Sequence, residues 1–267
     1  MSKLQRSDTT LWFEEFAPAN PTKTIVFLHG LGLGSWMWQK QVAVLRETYH
    51  CLLIDLPGNG ESYQVEWTSM ADAASQVAEL IRQRGIGGRA HIAGLSLGGY
   101  VAMQLLANQP AVVESMVVSG INVRPYTAPW FWRTLFTQLV PLMKREAVLQ
   151  ANARTMGLPD DLFPLMQRDM HRVAKTTYAR VFNETFRQSM PAVLRERQQR
   201  VLGVAGDQED QPIRAGLPDF PKYLPNGKAA LVADAHHVWN GQHPERFTEM
   251  VRSWVENTPL PPALQLV

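Results

Sequence analysis

The pentapeptide Gly94-Leu95-Ser96-Leu97-Gly98 places a serine between two glycines, each two positions away. Residues 89–93, just before it, are mostly apolar and predict a buried strand, whereas residues 99–107 predict a helix. A chain that turns sharply from strand to helix leaves no room for side chains two residues from the turn. The Ser96 hydroxyl would stand clear of the backbone, near a helix N-terminus that stabilises developing negative charge. We predict a nucleophilic serine; the alternative is a serine that only caps the helix.

A serine nucleophile needs a general base, and the base needs an acid that orients it. Two adjacent histidines, His236 and His237, follow an apolar run at 229–233. Three carboxylates, those of Asp207, Glu209 and Asp210, follow a second apolar run at 201–206. Carboxylates so close together cannot all be buried without partners, so two of the three should face solvent.

Apolar runs and helical periodicities alternate along most of the chain, which predicts an α/β fold with a mostly parallel sheet covered on both faces. The predicted strands span residues 11–16, 24–28, 50–56, 89–93, 115–119, 201–206 and 229–233, and the predicted helices span 36–47, 70–84, 99–107 and 244–255. The tail at 259–262 is predicted to be loosely held.

Residues 121–197 interrupt the alternation, because they are helical in pattern and rich in aromatic residues and methionine. We predict that 1–120 and 198–267 form a core domain and that 121–197 form an inserted helical lid, or cap. Such an insertion is expected over the carboxyl ends of the strands, where open α/β sheets bind ligands. Most of its large side chains should pack against one another, with Trp130 or Trp132 facing the site.

In this order along the chain, the motifs resemble those of the α/β-hydrolase family over essentially the whole length. The matching residues are His29-Gly30-Leu31, Asp55-Leu56-Pro57-Gly58-Asn59-Gly60-Glu61-Ser62, the Ser96 pentapeptide, Gly206-Asp207-Gln208-Glu209, and His237 with Pro244 and Phe247. The resemblance implies a twisted, mostly parallel sheet with helices on both faces, an inserted helical lid and a Ser–His–acid triad.

The resemblance also ranks the candidate base and acid. The family's histidine stands seven residues before a proline, which selects His237, although His236 then occupies a position where glycine is usual. The family's Gly-x-x-acid spacing selects Glu209. Asp210 would fit a loop that is one residue longer, and Asp207 a tighter one.

The implied oxyanion hole consists of two backbone N–H groups, those of Leu31 and Leu97. Glycines at 30, 32 and 34 would let the first of these loops approach the serine closely. His29 is expected to brace this loop, and Asp55 to organise the turn that follows its strand.

Other chemistries lack their motifs. The chain has no phosphate-binding loop, no dinucleotide fingerprint after a strand and no metalloprotease motif, so we expect no cofactor and no metal. A net charge of +2 without a basic block argues against nucleic acid as a partner.

The cysteine count, the N-terminal residues and the longest uncharged stretch bear on the cellular compartment. The single cysteine, Cys51, cannot make an internal disulfide, and residues 1–8 have no apolar segment typical of a signal peptide. Residues 90–113 lack charged side chains, but their glycines and the stop at Asn108-Gln109-Pro110 indicate a buried strand, a turn and a helix rather than a transmembrane segment. We expect a cytoplasmic monomer or homodimer.

These observations predict a serine hydrolase of carboxylesterase type, acting through an acyl-enzyme. The aromatic, methionine-rich lid favours small esters with an apolar group as substrates. The same triad would also serve hydrolysis of a carbon–carbon bond or a thioester, or acyl transfer. A hypothesis of another class is a ligand sensor with a slow or vestigial triad, whose lid binds a partner.

Overall fold

The computed structural model describes residues 11–187 and 189–267; the expectation about residues 1–8 therefore lies outside the described residues. One eight-stranded sheet forms the centre of the molecule. Its strands are β1 (Phe13–Phe16), β2 (Thr24–Leu28), β3 (His50–Ile54), β4 (Ala90–Leu95), β5 (Val113–Ser119), β6 (Arg200–Gly206), β7 (Gly227–Val232) and β8 (Leu264–Leu266).

The strand order across the sheet is β1-β3-β2-β4-β5-β6-β7-β8. All pairs from β3 to β7 are parallel, whereas β1 and β8 add antiparallel edges. The predicted fold class, an α/β fold with a mostly parallel sheet, is confirmed. Every residue of β2 and β3 is buried, because helices cover both faces of the sheet.

Eleven α-helices lie within the described residues. They are α1 (Gln39–Leu45), α2 (Met70–Arg84), α3 (Leu97–Asn108), α4 (Pro129–Met143), α5 (Glu146–Thr155), α6 (Phe163–Arg172), α7 (Lys175–Arg187), α8 (Gln211–Gly216), α9 (Phe220–Tyr223), α10 (Trp239–Gln242) and α11 (Pro244–Glu256).

Local sequence explains the helices that cover the sheet. Helix α2 begins where the Ser69 hydroxyl accepts a hydrogen bond from the Asp72 N–H, at 3.0 Å. Its buried side chains recur every three or four residues and include Met70, Val77 and Ile81, so one face of the helix packs on the core. The predicted helix at 36–47 begins instead as a 3₁₀ turn, Ser35–Trp38, before α1.

The C-terminal tail contains a short strand beyond the residues 259–262 that the sequence predicts to be loosely held. Residues Leu264–Leu266 form β8, which pairs with β7, and Pro261 is buried, whereas Pro259 and Pro262 are exposed. Three residues are too few to give an alternating pattern that can be recognised, so this strand depends on the β7 edge that it completes.

Helices α4 to α7 all lie between β5 and β6 in the chain. Helices α4 and α7 pack against each other, with the ring centroids of Phe136 and Phe182 5.7 Å apart. The outer side of α4 is apolar and exposed at Trp130, Phe131 and Leu135. In the part of the chain that the structure describes, no helix is long and apolar enough to cross a membrane.

Candidate active site

Ser96 sits on a sharp turn directly after β4. Its φ of 53° and ψ of −116° are unusual for a residue with a side chain and show a strained backbone. The strain is held by hydrogen bonds on both sides: the Ser96 N–H donates to the Ser119 carbonyl at 2.8 Å, and the Tyr100 N–H donates to the Ser96 carbonyl at 3.0 Å. Helix α3 begins at the next residue.

Both flanking glycines are required by close approach of the backbone. A Cβ atom at Gly94 would lie 2.6 Å from the Gly98 carbonyl oxygen. A Cβ atom at Gly98 would overlap the Leu28 carbonyl oxygen at the end of β2. The spacing that marked this turn in the sequence therefore has a direct steric cause.

His237 and Glu209 meet above the carboxyl ends of β5 and β6. The His237 Nδ1–H donates to Glu209 Oε1, which leaves Nε2 as the nitrogen available to another group. Glu209 is only 5% exposed, and its Oε2 also accepts a hydrogen bond from the Gly206 N–H at 3.3 Å. The carboxylate is thus fixed by the loop that carries it.

The His237 ring also packs against Gly120, which follows β5. Gly120 has a φ of +70°, and a Cβ atom there would lie 2.7 Å from His237 Cε1 and 3.0 Å from Glu209 Oε1. A larger residue at this position would therefore displace the imidazole. Sequence reasoning missed Gly120, although its place directly after a predicted strand was a usable signal.

The electrostatic surroundings of His237 favour its protonated form. Burial of the ring opposes protonation, but the charge and hydrogen bond of Glu209, together with the charge of Asp210, outweigh it and raise the pKa of His237 above 6.5. A base held in this way accepts a proton readily, as a general base in catalysis must.

The remaining candidates occupy other surroundings. Asp207 and Asp210 are exposed, and Asp207 Oδ1 accepts a hydrogen bond from the Ala235 N–H at 3.3 Å. The His236 N–H donates to Gln242 Oε1 at 3.0 Å, and its side chain packs near Gly157, away from Ser96. The structure brings Glu209 and His237 together and leaves Asp207 and His236 outside the cavity at Ser96.

The loop after β2 approaches Ser96 from the side. A Cβ atom at Gly30 would lie 3.5 Å from Ser96 Cβ. Leu31 and Leu97 line the same cavity as Ser96. Leu97 is the first residue of α3, and N–H groups in the first turn of a helix have no intrahelical partner. The N–H groups of Leu31 and Leu97 are therefore the candidate oxyanion donors beside Ser96.

Two buried side chains hold this loop in place. The His29 Nδ1–H donates to the Gly30 carbonyl at 2.7 Å, and Nε2 accepts a hydrogen bond from the Leu56 N–H at 2.9 Å. Asp55 accepts hydrogen bonds from the N–H groups of Ser35, at 2.6 Å, and Glu61, at 2.8 Å. With both ring nitrogens of His29 occupied, this histidine supports the loop and is not free to serve as a base.

A cavity of about 540 Å³ lies over Ser96 and His237. Helices α4 and α7 supply one wall, with Trp132, Phe136, Val181, Phe182, Thr185 and Phe186. No lysine or arginine is among the described residues that line it. Trp132 thus faces the cavity, whereas Trp130 is 63% exposed and does not line it.

The sequence contained a weak signal for this wall. Trp132 and Phe136 are four residues apart, as are Phe182 and Phe186, so each pair lies on one side of its helix. Within residues 11–187 and 189–267, no group of three or more His, Cys, Asp or Glu side chains could hold a metal ion.

Comparison with known proteins places the chain among hydrolases. The family model described as "Alpha/beta hydrolase family" matches residues 25–250. An AB hydrolase superfamily protein of Gibberella zeae is 26% identical over 98% of this chain and 89% of its own length. The 3-oxoadipate enol-lactonase 1 of Acinetobacter baylyi is also 26% identical, over 94% of this chain and 95% of its own.

Solved structures show the same fold. The enol-lactonase from Burkholderia xenovorans LB400 superimposes with a TM-score of 0.78 at 18% sequence identity, covering 92% of this chain and 96% of that one.

Proposed function

Because the chain belongs to the alpha/beta hydrolase family, we propose that it is a serine hydrolase that cleaves carboxylic esters of apolar small molecules. One observation carries the proposal. Ser96, on a strained turn, shares an apolar cavity with a histidine whose other ring nitrogen is bound to a buried carboxylate. This combination supplies a nucleophile, a base and an orienting acid.

In the proposed reaction, Ser96 Oγ attacks the ester carbonyl carbon while its proton passes to His237 Nε2. Glu209 keeps the imidazole oriented and stabilises the imidazolium that forms. The carbonyl oxygen becomes an oxyanion, which the N–H groups of Leu31 and Leu97 stabilise.

Collapse of this intermediate breaks the carbon–oxygen bond of the ester and leaves an acyl group on Ser96. The proton on His237 goes to the departing alcohol. Water then attacks the acyl-enzyme with His237 as base, and a second collapse releases the carboxylic acid and returns the proton to Ser96.

The cavity supports the assignment of an apolar substrate. Its volume of about 540 Å³ suits a small molecule, and most of its lining is aromatic or aliphatic. A lactone is an internal ester, so the two enol-lactonases among the similar proteins fit the same reaction type. We also propose that 121–197 act as a lid that admits the substrate, because α4 and α7 form a wall of the cavity.

Turnover of p-nitrophenyl esters of graded acyl length tests this function. We expect multiple turnover in the intact protein and a loss of about 10³-fold or more in Ser96→Ala. Ser75→Ala is the matched control, because Ser75 lies exposed on α2 with its hydroxyl bound to the Ala71 carbonyl. Equal turnover in both variants would contradict the proposal.

The sensor hypothesis makes the opposite prediction for the same panel. A sensor would bind the esters without releasing more than one equivalent of p-nitrophenol. The panel also includes thioesters and substrates with a cleavable carbon–carbon bond, each of matched shape. If one of them has a higher kcat/KM than the ester, that compound becomes the favoured substrate.

A further inference from the structure

Five aromatic side chains form a continuous cluster on one side of the cavity. Tyr126 contacts Phe186 edge-on at a centroid distance of 5.1 Å, and Phe186 lies 5.4 Å from Phe136 and 5.9 Å from Phe182. Trp132 joins the cluster at 6.3 Å from Phe136. All five side chains line the cavity. The faces of such rings carry negative electrostatic potential and attract cations.

One carboxylate, that of Asp210, lines the same cavity without a partner. Among the described residues, its side chain makes no hydrogen bond and no ion pair. By contrast, Glu209 accepts a hydrogen bond from His237, and Asp207 accepts one from the Ala235 N–H. The Asp210 side chain thus lies beside the substrate space as an unpaired carboxylate.

The charge of Asp210 acts on the cavity from the side of the rings. Burial raises the pKa of the Tyr126 hydroxyl, a hydrogen bond with Asn122 lowers it, and the charge of Asp210 raises it again. The same charge contributes to the raised pKa of His237, after burial and Glu209. Tyr126 and His237 both line the cavity, as does Asp210.

We propose that the apolar part of the ester substrate carries a cationic group, such as a quaternary or protonated amine, which this cavity binds, and that the cavity discriminates against carboxylates. The inference rests on the proposed function, since it names the substrate class for that site. Aromatic rings and an unpaired carboxylate attract a cation, and no lysine or arginine among the described lining residues offsets them. A carboxylate in the same place is repelled by Asp210.

The expected preference is moderate because Asp210 is exposed and water screens its charge. We expect a cationic ligand to bind about 3- to 10-fold more tightly than a neutral one of the same shape.

Direct binding tests the inference without any turnover. Choline and 3,3-dimethylbutan-1-ol have the same shape, and only choline is charged. Isothermal titration of the intact protein should show saturable choline binding, about 3- to 10-fold tighter than binding of the neutral alcohol. Failure to saturate with choline, or equal affinity for the two, overturns the proposal.

Two charge variants on the same loop assign the preference to one residue. Asp210→Asn should reduce the affinity ratio of choline to the alcohol towards one. Asp207→Asn removes the same charge outside the cavity and should keep the ratio. An unchanged ratio in Asp210→Asn, or equal losses in both variants, contradicts the role of Asp210.

A turnover experiment connects the preference with the reaction. Three p-nitrophenyl esters of similar length would carry a trimethylammonium, a tert-butyl or a carboxylate group at the end of the acyl chain. At a pH where His237 is neutral, kcat/KM should decrease in that order. In Asp210→Asn, the differences in kcat/KM among the three esters should become smaller. If the three esters are turned over with equal kcat/KM, the cation preference is refuted and the proposed function stands. If choline binds but no ester shows Ser96-dependent turnover, the proposed function is refuted and the cation preference stands.

Discussion

The turn after β4 with the start of α3, the loop after β6, and the helices α4 and α7 surround one cavity, but they hold their side chains in different ways. Gly98 packs against the backbone of β2, and Glu209 is buried with both carboxylate oxygens in hydrogen bonds. On α4, by contrast, the large side chains of Trp130 and Phe131 are exposed, and Trp132 is only partly covered. We infer that these backbone segments fix the groups of the proposed reaction, whereas the helices provide a wall whose side chains are more exposed.

The comparison predicts that changes in the loops cost far more than changes in the wall. The largest effect is expected for the buried acid. Glu209→Gln should lower kcat by about 10²- to 10⁴-fold, because an amide cannot stabilise the imidazolium form of His237. The measurement is steady-state turnover of the best ester in the panel.

Asp207→Asn is the matched control for Glu209→Gln, since Asp207 lies on the same loop and does not line the cavity. We expect a change of less than about 3-fold, and a larger loss than in Glu209→Gln would assign the acid to Asp207.

The next effect concerns the backbone contact beneath Ser96. Gly98→Ala should lower the free energy of unfolding by about 3 kcal/mol or more, because the added methyl group overlaps the Leu28 carbonyl and neither backbone segment can move easily. Urea unfolding followed by fluorescence measures the change.

Gly87→Ala serves as the comparison for Gly98→Ala. Gly87 has a φ of +64°, but a Cβ atom there meets nothing within 4 Å. The expected loss is therefore only about 1 kcal/mol, from backbone strain alone. Equal losses in the two variants would show that the close contact at Gly98 is unimportant.

A smaller but diagnostic effect is expected in the pH profile. Because the pKa of His237 is raised above 6.5, activity should fall on the acidic side with a midpoint above that value. In Glu209→Gln the residual activity should have a lower midpoint, since the carboxylate that favours the imidazolium is gone. An identical midpoint in both proteins would show that Glu209 does not influence the pKa of His237.

The smallest effect is expected in the helical wall. Trp132→Ala should lower kcat/KM for long-chain esters by about 5- to 10-fold through lost apolar contact, whereas Trp130→Ala should change it by less than about 2-fold. Kinetics with acetyl and octanoyl esters measure the difference. If Trp130→Ala has the larger effect, the cavity wall is wrongly assigned.

The sequence predicted the sheet and the serine turn because their causes are local. Buried parallel strands read as apolar runs, and a strand-to-helix turn with backbone contacts on both sides permits only glycine at 94 and 98. The predicted strand at 24–28 matches β2, and the predicted helix at 70–84 matches α2.

The parts that the sequence left open depend on contacts between distant segments. Choosing among three neighbouring carboxylates requires knowing which one the loop turns inward, and Gly120 matters only because His237, far along the chain, packs on it. β8 was missed because its three residues form a strand only beside β7.

The central claim is that Ser96 is the nucleophile and that His237 activates it. The most direct measurement is intact-protein mass spectrometry after treatment with a fluorophosphonate, followed by peptide mapping. We expect one adduct, located on Ser96, that is absent in Ser96→Ala and forms far more slowly in His237→Ala. Labelling of Ser96→Ala at the rate of the unmodified protein would contradict this claim.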